Sequence, residues 1–206
     1  MAATKLSGEF GVDVNVEDLF YNFQTTSRVA SEEMRLYGPK WRLLETHLNM
    51  RPDGRLLDLR QALVDLVDMA DAQQLSFLYR VDSADMFALV ATGVRGEGGR
   101  QIDMTPLLDR RITIPLGTRR AIEHVNLLTR ALEAQTGIQV GCCQAGVAGV
   151  PFGFWTVSFE AHDEPARAAF VRLLRTTPGA PVRYRWSMMC DFRRPFCFIN
   201  LASHSG

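Results

Sequence analysis

Apolar positions alternate along some stretches of this 206-residue chain and recur every three to four residues along others. Each change of period marks a new element. In the C-terminal half, Arg111-Ile-Thr-Ile-Pro115 predicts a short strand that Pro115 ends or places at a sheet edge. Ala121, Ile122, Val125, Leu128 and Leu132 then share one face of a helix, with Thr118 as the expected N-cap and Gly137 as its stop. Ile138, Val140 and Cys142 alternate as a strand does. After a small-residue loop from Gly146 to Gly153, so do Trp155, Val157 and Phe159. Asp163-Glu-Pro165 predicts the start of a second helix, with Asp163 accepting from a free amide and Pro165 in the first turn. Its inner face holds Ala166, Phe170, Leu173 and Leu174, and Pro178-Gly179 ends it. Val182, Tyr184, Trp186 and Met188 form a strand, and Phe196, Phe198 and Ile199 belong to its return partner. The expected core of this half is Ile112, Ile122, Val125, Leu132, Val140, Val157, Phe159, Phe170, Leu174, Tyr184 and Trp186.

The N-terminal half is patterned less sharply. Val16, Leu19, Phe20 and Phe23 have helical spacing, Glu32 to Tyr37 reads as a last helical turn before Gly38-Pro39, and Trp41 to Met50 reads as a strand. Leu59, Leu63, Leu66, Val67 and Ala70 predict a helix whose solvated side carries Asp58, Asp65, Asp68 and Asp71. Leu75, Phe77, Tyr79 and Val81 then alternate, Asp82 to Asp85 makes a turn, and Met86 to Val94 returns. The pattern therefore predicts an α+β protein in three parts. Residues 1–95 form an N-terminal unit of helix, strand, helix and hairpin. Residues 96–109 are a linker centred on Gly96 to Arg100, with Ile102 to Leu108 packing onto one half or the other. Residues 110–202 form a two-layer βαβ–βαββ module. The helix–strand–strand order of Leu59 to Val94 recurs in Ala166 to Ala202, a repeat of fold rather than of sequence.

Composition narrows the functional classes. Acidic and basic residues balance at 23 each, so the chain lacks the charge that captures nucleic acid. Only Lys5 and Lys40 among the basic residues are lysines, a bias expected of a GC-rich genome. No apolar run reaches the roughly 18 residues of a membrane span. The N-terminus lacks an apolar signal stretch, so a cytoplasmic address is expected, or a periplasmic one if a signal peptide is missing from the given chain.

No constellation of catalytic type stands out. His47, His124, His162 and His204 have no metal-ligand spacing, and His124 is expected at a surface or rim position beside its helix stripe. Gly93 to Gly99 lacks the Lys-Ser/Thr ending of a phosphate loop. Cys142-Cys143 and the Cys190, Cys197 pair lack zinc or redox spacing, though together they offer four thiolates. No catalytic residue, cofactor or metal is expected. The hairpin Asp191-Phe-Arg-Arg-Pro-Phe196 is the exposed element of most interest, with Phe192, Arg193, Arg194 and Phe196 as candidate partner-binding residues. At its base Cys190 and Cys197 fall nearly opposite one another, within disulfide reach, and would be bridged in an oxidising compartment.

Two segments carry a family likeness. Leu132-Glu-Ala-Gln-Thr-Gly-Ile-Gln-Val140 and Glu164-Pro-Ala-Arg-Ala-Ala-Phe-Val-Arg-Leu-Leu-Arg-Thr176, followed by the hairpin of Val182 to Leu201, resemble the short N-terminal module of secretins and signalling TonB-dependent receptors. The resemblance covers residues 110–201 only. It implies a βαβ–βαββ fold that contacts other proteins outside the cytoplasmic membrane, and it supplies no catalytic residues. The expected function is thus non-enzymatic protein–protein interaction in the bacterial cell envelope. The module would dock another protein through an exposed strand edge or the 191–196 hairpin, without membrane insertion, and edge strands also offer a route to a homo-oligomer. The alternative is a small α+β enzyme or ligand-binding domain with a pocket between sheet and helices.

Overall fold

The computed structural model describes residues 14–18, 59–72, 77–82, 87–95, 101–142, 151–176, 182–191 and 195–205. The elements expected over 32–37 and 41–50 and the glycine segment 96–100 lie outside these residues. The described elements are α+β in class, and the chain divides into two compact units, Met1–Glu17 with Tyr21–Met104, and Asp18–Phe20 with Thr105–Gly206.

In the first unit, helix α1 (Leu59–Ala72) buries Ala62, Leu63 and Leu66. Strands β2 (Phe77–Asp82) and β3 (Phe87–Arg95) form the expected antiparallel hairpin, with a register shift between Leu78 and Tyr79. The helix expected to open at Val16 is not formed there. Val14–Asp18 is instead strand β1, parallel to β3 with Val14 opposite Phe87 and Glu17 opposite Val90. The helical spacing of Val16 and Leu19 loses to the hydrogen-bonding demand of an open β3 edge, and Asn15 adds a side-chain bond to the Phe87 carbonyl (3.1 Å). Part of the expected linker is also structured. Gln101–Asp103 is strand β4, paired with β3 at Gly93 to Arg95, and the Met104 amide donates to the Thr92 carbonyl (2.7 Å).

The second unit runs strand, helix, strand, strand, helix, strand, strand. β5 (Arg111–Arg120) and β7 (Thr156–Pro165) make an antiparallel ribbon. β8 (Val182–Asp191) and β9 (Phe196–Ser205) make a hairpin, and β6 (Gln139–Cys142) lies parallel to β9. Helix α2 (Ala121–Thr136) links β5 to β6, and helix α3 (Ala166–Thr176) links β7 to β8. Both units therefore place a helix before a hairpin and a parallel strand on the hairpin's second strand.

Both helix starts differ from expectation. Arg119 and Arg120 pair with Val157 and Thr156 across the ribbon, so Thr118 stays extended and α2 begins at Ala121. The Arg120 amide donates to the Glu123 carboxylate (3.0 Å), as does its guanidinium. Arginine offers no acceptor in return, so only half of a reciprocal cap exists. That contact holds the Glu123 carboxyl below the usual range. Asp163 does not cap α3 either. It sits in β7 at φ 43°, its carboxylate taken by Arg111 (3.0 Å) and its amide donating to Thr113 Oγ1 (3.2 Å). The Arg111 contact lowers its pKa. The first amide of α3, Ala166, donates instead to the Arg110 carbonyl (2.8 Å). Pro115 lies inside β5 rather than at its end, but on an edge strand as the alternative expects, where the register shifts between Ile114 and Gly117 and a missing amide costs no ladder bond. The end of α2 is as expected: Gly137 adopts φ 69°, and its amide donates to the Glu133 carbonyl (2.8 Å).

The core matches the expected residues with one exchange. Ile122 is half-buried, and His124, expected at the rim, is 0% exposed. The buried stripe of α2 is Ala121, Val125, Leu128 and Leu132 at 4-3-4 spacing, joined on the same face by His124 and Thr129, whose polarity hides them from an apolar pattern. His124 qualifies because Nε2 meets the Val157 carbonyl (3.2 Å) and its ring meets the edge of Phe159.

Helix α3 is the more enclosed. Phe170 reaches Trp186 of β8 (ring centroids 5.9 Å), whereas Arg172, two residues on, lies 4.5 Å from the Phe159 ring of β7. Two residues are 200° around a helix, so α3 meets the ribbon on one side and the hairpin on the other. Its one buried cation, Arg167 (7% exposed), is paired with Asp109 at 2.6 Å. Asp109 ends a short 3₁₀ turn (Leu107–Asp109) whose Leu107 and Leu108 are also buried. Residues 107–109 of the expected linker are thereby fastened to the second unit.

Breaking this ion pair leaves a charge stranded in the interior. Arg167→Ala should cost about 3 kcal/mol, the low end for buried pairs because Asp109 keeps some contact with water. Urea unfolding should show this, and should show much of the loss recovered in the double variant Asp109→Leu/Arg167→Met. Tyr184 gives a second test. Burial pushes its hydroxyl pKa up, partly opposed by a hydrogen bond from Trp155. A raised folded-state pKa means that the unfolded chain ionises first, so stability should hold below about pH 10 and fall as pH rises beyond it. Tyr184→Phe should remove that component of alkaline destabilisation in pH-dependent melts.

Candidate functional site

Possible chemistry can be located first. His124 is enclosed as described, His162 is exposed, and His47 lies outside the described residues. The described residues contain no group of three or more His, Cys, Asp or Glu placed to hold a metal ion. Nor is any described helix long and apolar enough to cross a membrane. Phe192, Arg193 and Arg194 of the expected tip lie outside the described residues, whereas Phe196 lies within them at the start of β9.

The base of the hairpin is well defined. Cys190 stands directly opposite Cys197 in the β8–β9 register, and the two are joined by a disulfide. The backbone explains why this position suits a bridge. The Gln139 amide donates to the Pro195 carbonyl (2.7 Å), which turns the polar groups of Pro195, Cys197 and Ile199 toward β6. Cys197 therefore faces Cys190 as a non-hydrogen-bonded pair, where cross-strand approach is closest, about 4.5 Å between Cα atoms without a bridge. The bridged pair stands at 3.9 Å. Both sulfurs sit on the inner face, Cys197 at 0% exposure, so the bond is shielded from solvent thiols. Cys142, at the end of β6, is disulfide-bonded too, and a sulfur so engaged is no thiolate ligand.

The outer face of the same sheet is different. Cys197 and Ile199 point inward, so Phe196 and Phe198 point outward, half-exposed. Met189 lies opposite Phe198 and is 49% exposed, and on the other flank Phe198 faces Gly141 of β6. A Cβ on Gly141 would lie 2.9 Å from the Phe198 ring and 3.2 Å from the Phe196 ring. The two rings thus lean across the glycine toward the sheet margin. β6 is that margin: β9 lies on one side, and no strand of this unit lies on the other among the described residues. The four residues Gln-Val-Gly-Cys carry no charge, proline or bulge, the devices that ordinarily blunt an edge. The sequence reading singled out the hairpin tip but missed this edge. Its signal was a glycine inside a strand pattern, which marks a close approach of neighbouring groups.

The residues of the two quoted motifs serve local structure. Gln135 Nε2 donates to the Arg111 carbonyl (2.7 Å), and Thr136 Oγ1 bridges the Leu132 carbonyl and the Ile138 amide. Arg167 makes the buried ion pair. No family model, curated protein or solved structure matches the chain.

Closing a loop of this size by a disulfide is worth about 2–3 kcal/mol in the chain-entropy model. The double variant Cys190→Ala/Cys197→Ala should lose that much stability under non-reducing conditions, and reduction should then cost it less than it costs the native chain. Equal stability of native and variant proteins before reduction, or free thiols at both positions in alkylation mapping, would refute the bridge.

Proposed function

We propose that this chain is a non-enzymatic protein–protein interaction module of the bacterial cell envelope that docks another protein by strand addition at β6, beside the 191–196 hairpin. One observation carries the reading: the unblunted edge of β6 adjoins an outward row of Met189, Phe198 and Phe196. Strand addition needs both parts. Open backbone groups supply affinity, and side chains beside the edge supply selection. The buried Cys190–Cys197 bridge supports an oxidising compartment, as the envelope is, because cytosolic thiols are kept reduced. The residues resembling the secretin and TonB-receptor module point the same way.

Site-specific photocrosslinking in the producing cells tests this. A benzoylphenylalanine at exposed Gln139 should give a discrete protein adduct, and one at exposed Glu133 on α2 should give none. An absent adduct at 139, or equal adducts at both sites, would reject β6 as a docking edge.

A further inference from the structure

The sulfur chemistry of the chain extends beyond the hairpin bridge. The sequence holds four cysteines, of which Cys190 and Cys197 are bonded to each other. Cys142 is disulfide-bonded as well, so the one sulfur left for it within the chain is that of Cys143, its neighbour in sequence. Cys143 lies outside the described residues, and this count together with the bonded state of Cys142 identifies it. We infer that Cys142 and Cys143 form a vicinal disulfide, and that this bridge at the end of β6 is a thiol-exchange site opened by a dithiol.

Loop size argues against a structural staple. A disulfide stabilises chiefly by closing a loop of unfolded chain, and the gain grows with the length of that loop. Neighbouring cysteines enclose a single peptide bond, the shortest loop a chain offers. Cys190 and Cys197 are 7 residues apart in sequence and tie β8 to β9. Holding the fold together therefore falls to the hairpin bridge, and the vicinal one is free for chemistry.

Access, rather than spacing, separates the two bridges. Chain neighbours have Cα atoms at most about 3.8 Å apart, and Cys190 and Cys197 stand at a similar 3.9 Å. Exposure differs: Cys197 is at 0% and Cys190 at 5%, whereas Cys142 is only half-buried at the last position of β6. Exchange proceeds by attack of a thiolate on a disulfide sulfur, so its rate follows access to that sulfur. One thiolate of the dithiol bonds to a bridge sulfur, and the other bridge sulfur leaves as a thiolate and takes up a proton. The second thiol of the reagent then closes on the first, releasing the remaining cysteine. The reagent ends as a disulfide, and both cysteines end as thiols.

Peptide mapping of the full chain, purified without reductant and alkylated in denaturant, tests the pairing. Trypsin places Cys142 and Cys143 together in peptide 131–167, apart from Cys190 and Cys197. That peptide should be linear, unalkylated and lighter than its dithiol form by the mass of a hydrogen molecule. A singly alkylated peptide, or one joined to another peptide or another copy, would overturn the pairing. Brief treatment of the folded chain with dithiothreitol, followed by alkylation, tests the exchange. Peptide 131–167 should gain its alkyl groups about tenfold faster than the Cys190 and Cys197 peptides come apart, as their access differs. The thermal melt should stay in place until the hairpin bridge opens. Equal opening rates, or a melt that falls with the first opening, would reject the exchange site. Each result stands apart from whether β6 docks a partner.

Discussion

Seven of the eleven residues of helix α3 are out of water, and the second unit is arranged around that demand. A helix with one apolar stripe needs one neighbour; a helix buried around most of its girth needs neighbours on both sides. Phe170 and Arg172 reach opposite sides, one toward the β8–β9 hairpin and the other toward the β5–β7 ribbon. Burial of Arg167 is the cost of this enclosure, and Asp109 offsets it. The pair therefore reaches beyond its own two residues, fastening the start of the unit to its second helix beside the Ala166–Arg110 backbone bond.

The ribbon has a comparable constraint. Extended pairing runs to Arg120 at the end of β5 and to Pro165 at the end of β7, so both helices start where the ladder releases the chain. This explains why side-chain caps are weak here. Thr118 and Asp163 are held in the ribbon, and backbone carbonyls of Trp155 and Arg110 receive the first helical amides instead. Local capping chemistry is worth about 1 kcal/mol per site, less than a run of cross-strand bonds.

Along strands β8, β9 and β6, one face serves stability and the other carries half-exposed aromatic side chains. The inner face holds the disulfide, Trp186 and Met188. The outer face collects Met189, Phe196 and Phe198 beside an uncharged four-residue margin. Gly141 lets the two rings lie over the edge strand, where a side chain would meet them.

Period and turn chemistry by themselves determined the α+β class, the order of elements from Arg111 to Ser205, the stop at Gly137 and nearly all of the core. Those features depend on neighbours a few residues apart, which a sequence displays directly. The opposed cysteines were legible for the same reason, because a short hairpin sets its own register. Partners distant in the chain were not legible. Val14–Asp18 became a strand because β3, some seventy residues later, offered an edge. His124 and Arg167 became interior residues beside long-range partners, the Val157 carbonyl at His124 Nε2 and the Asp109 carboxylate at Arg167 Nη1. The β6 margin became a candidate site because β9 folded back beside it, with no strand of this unit on its other side among the described residues. Polarity marks such residues for the surface until a long-range partner is known, and that partner is supplied only by the tertiary structure.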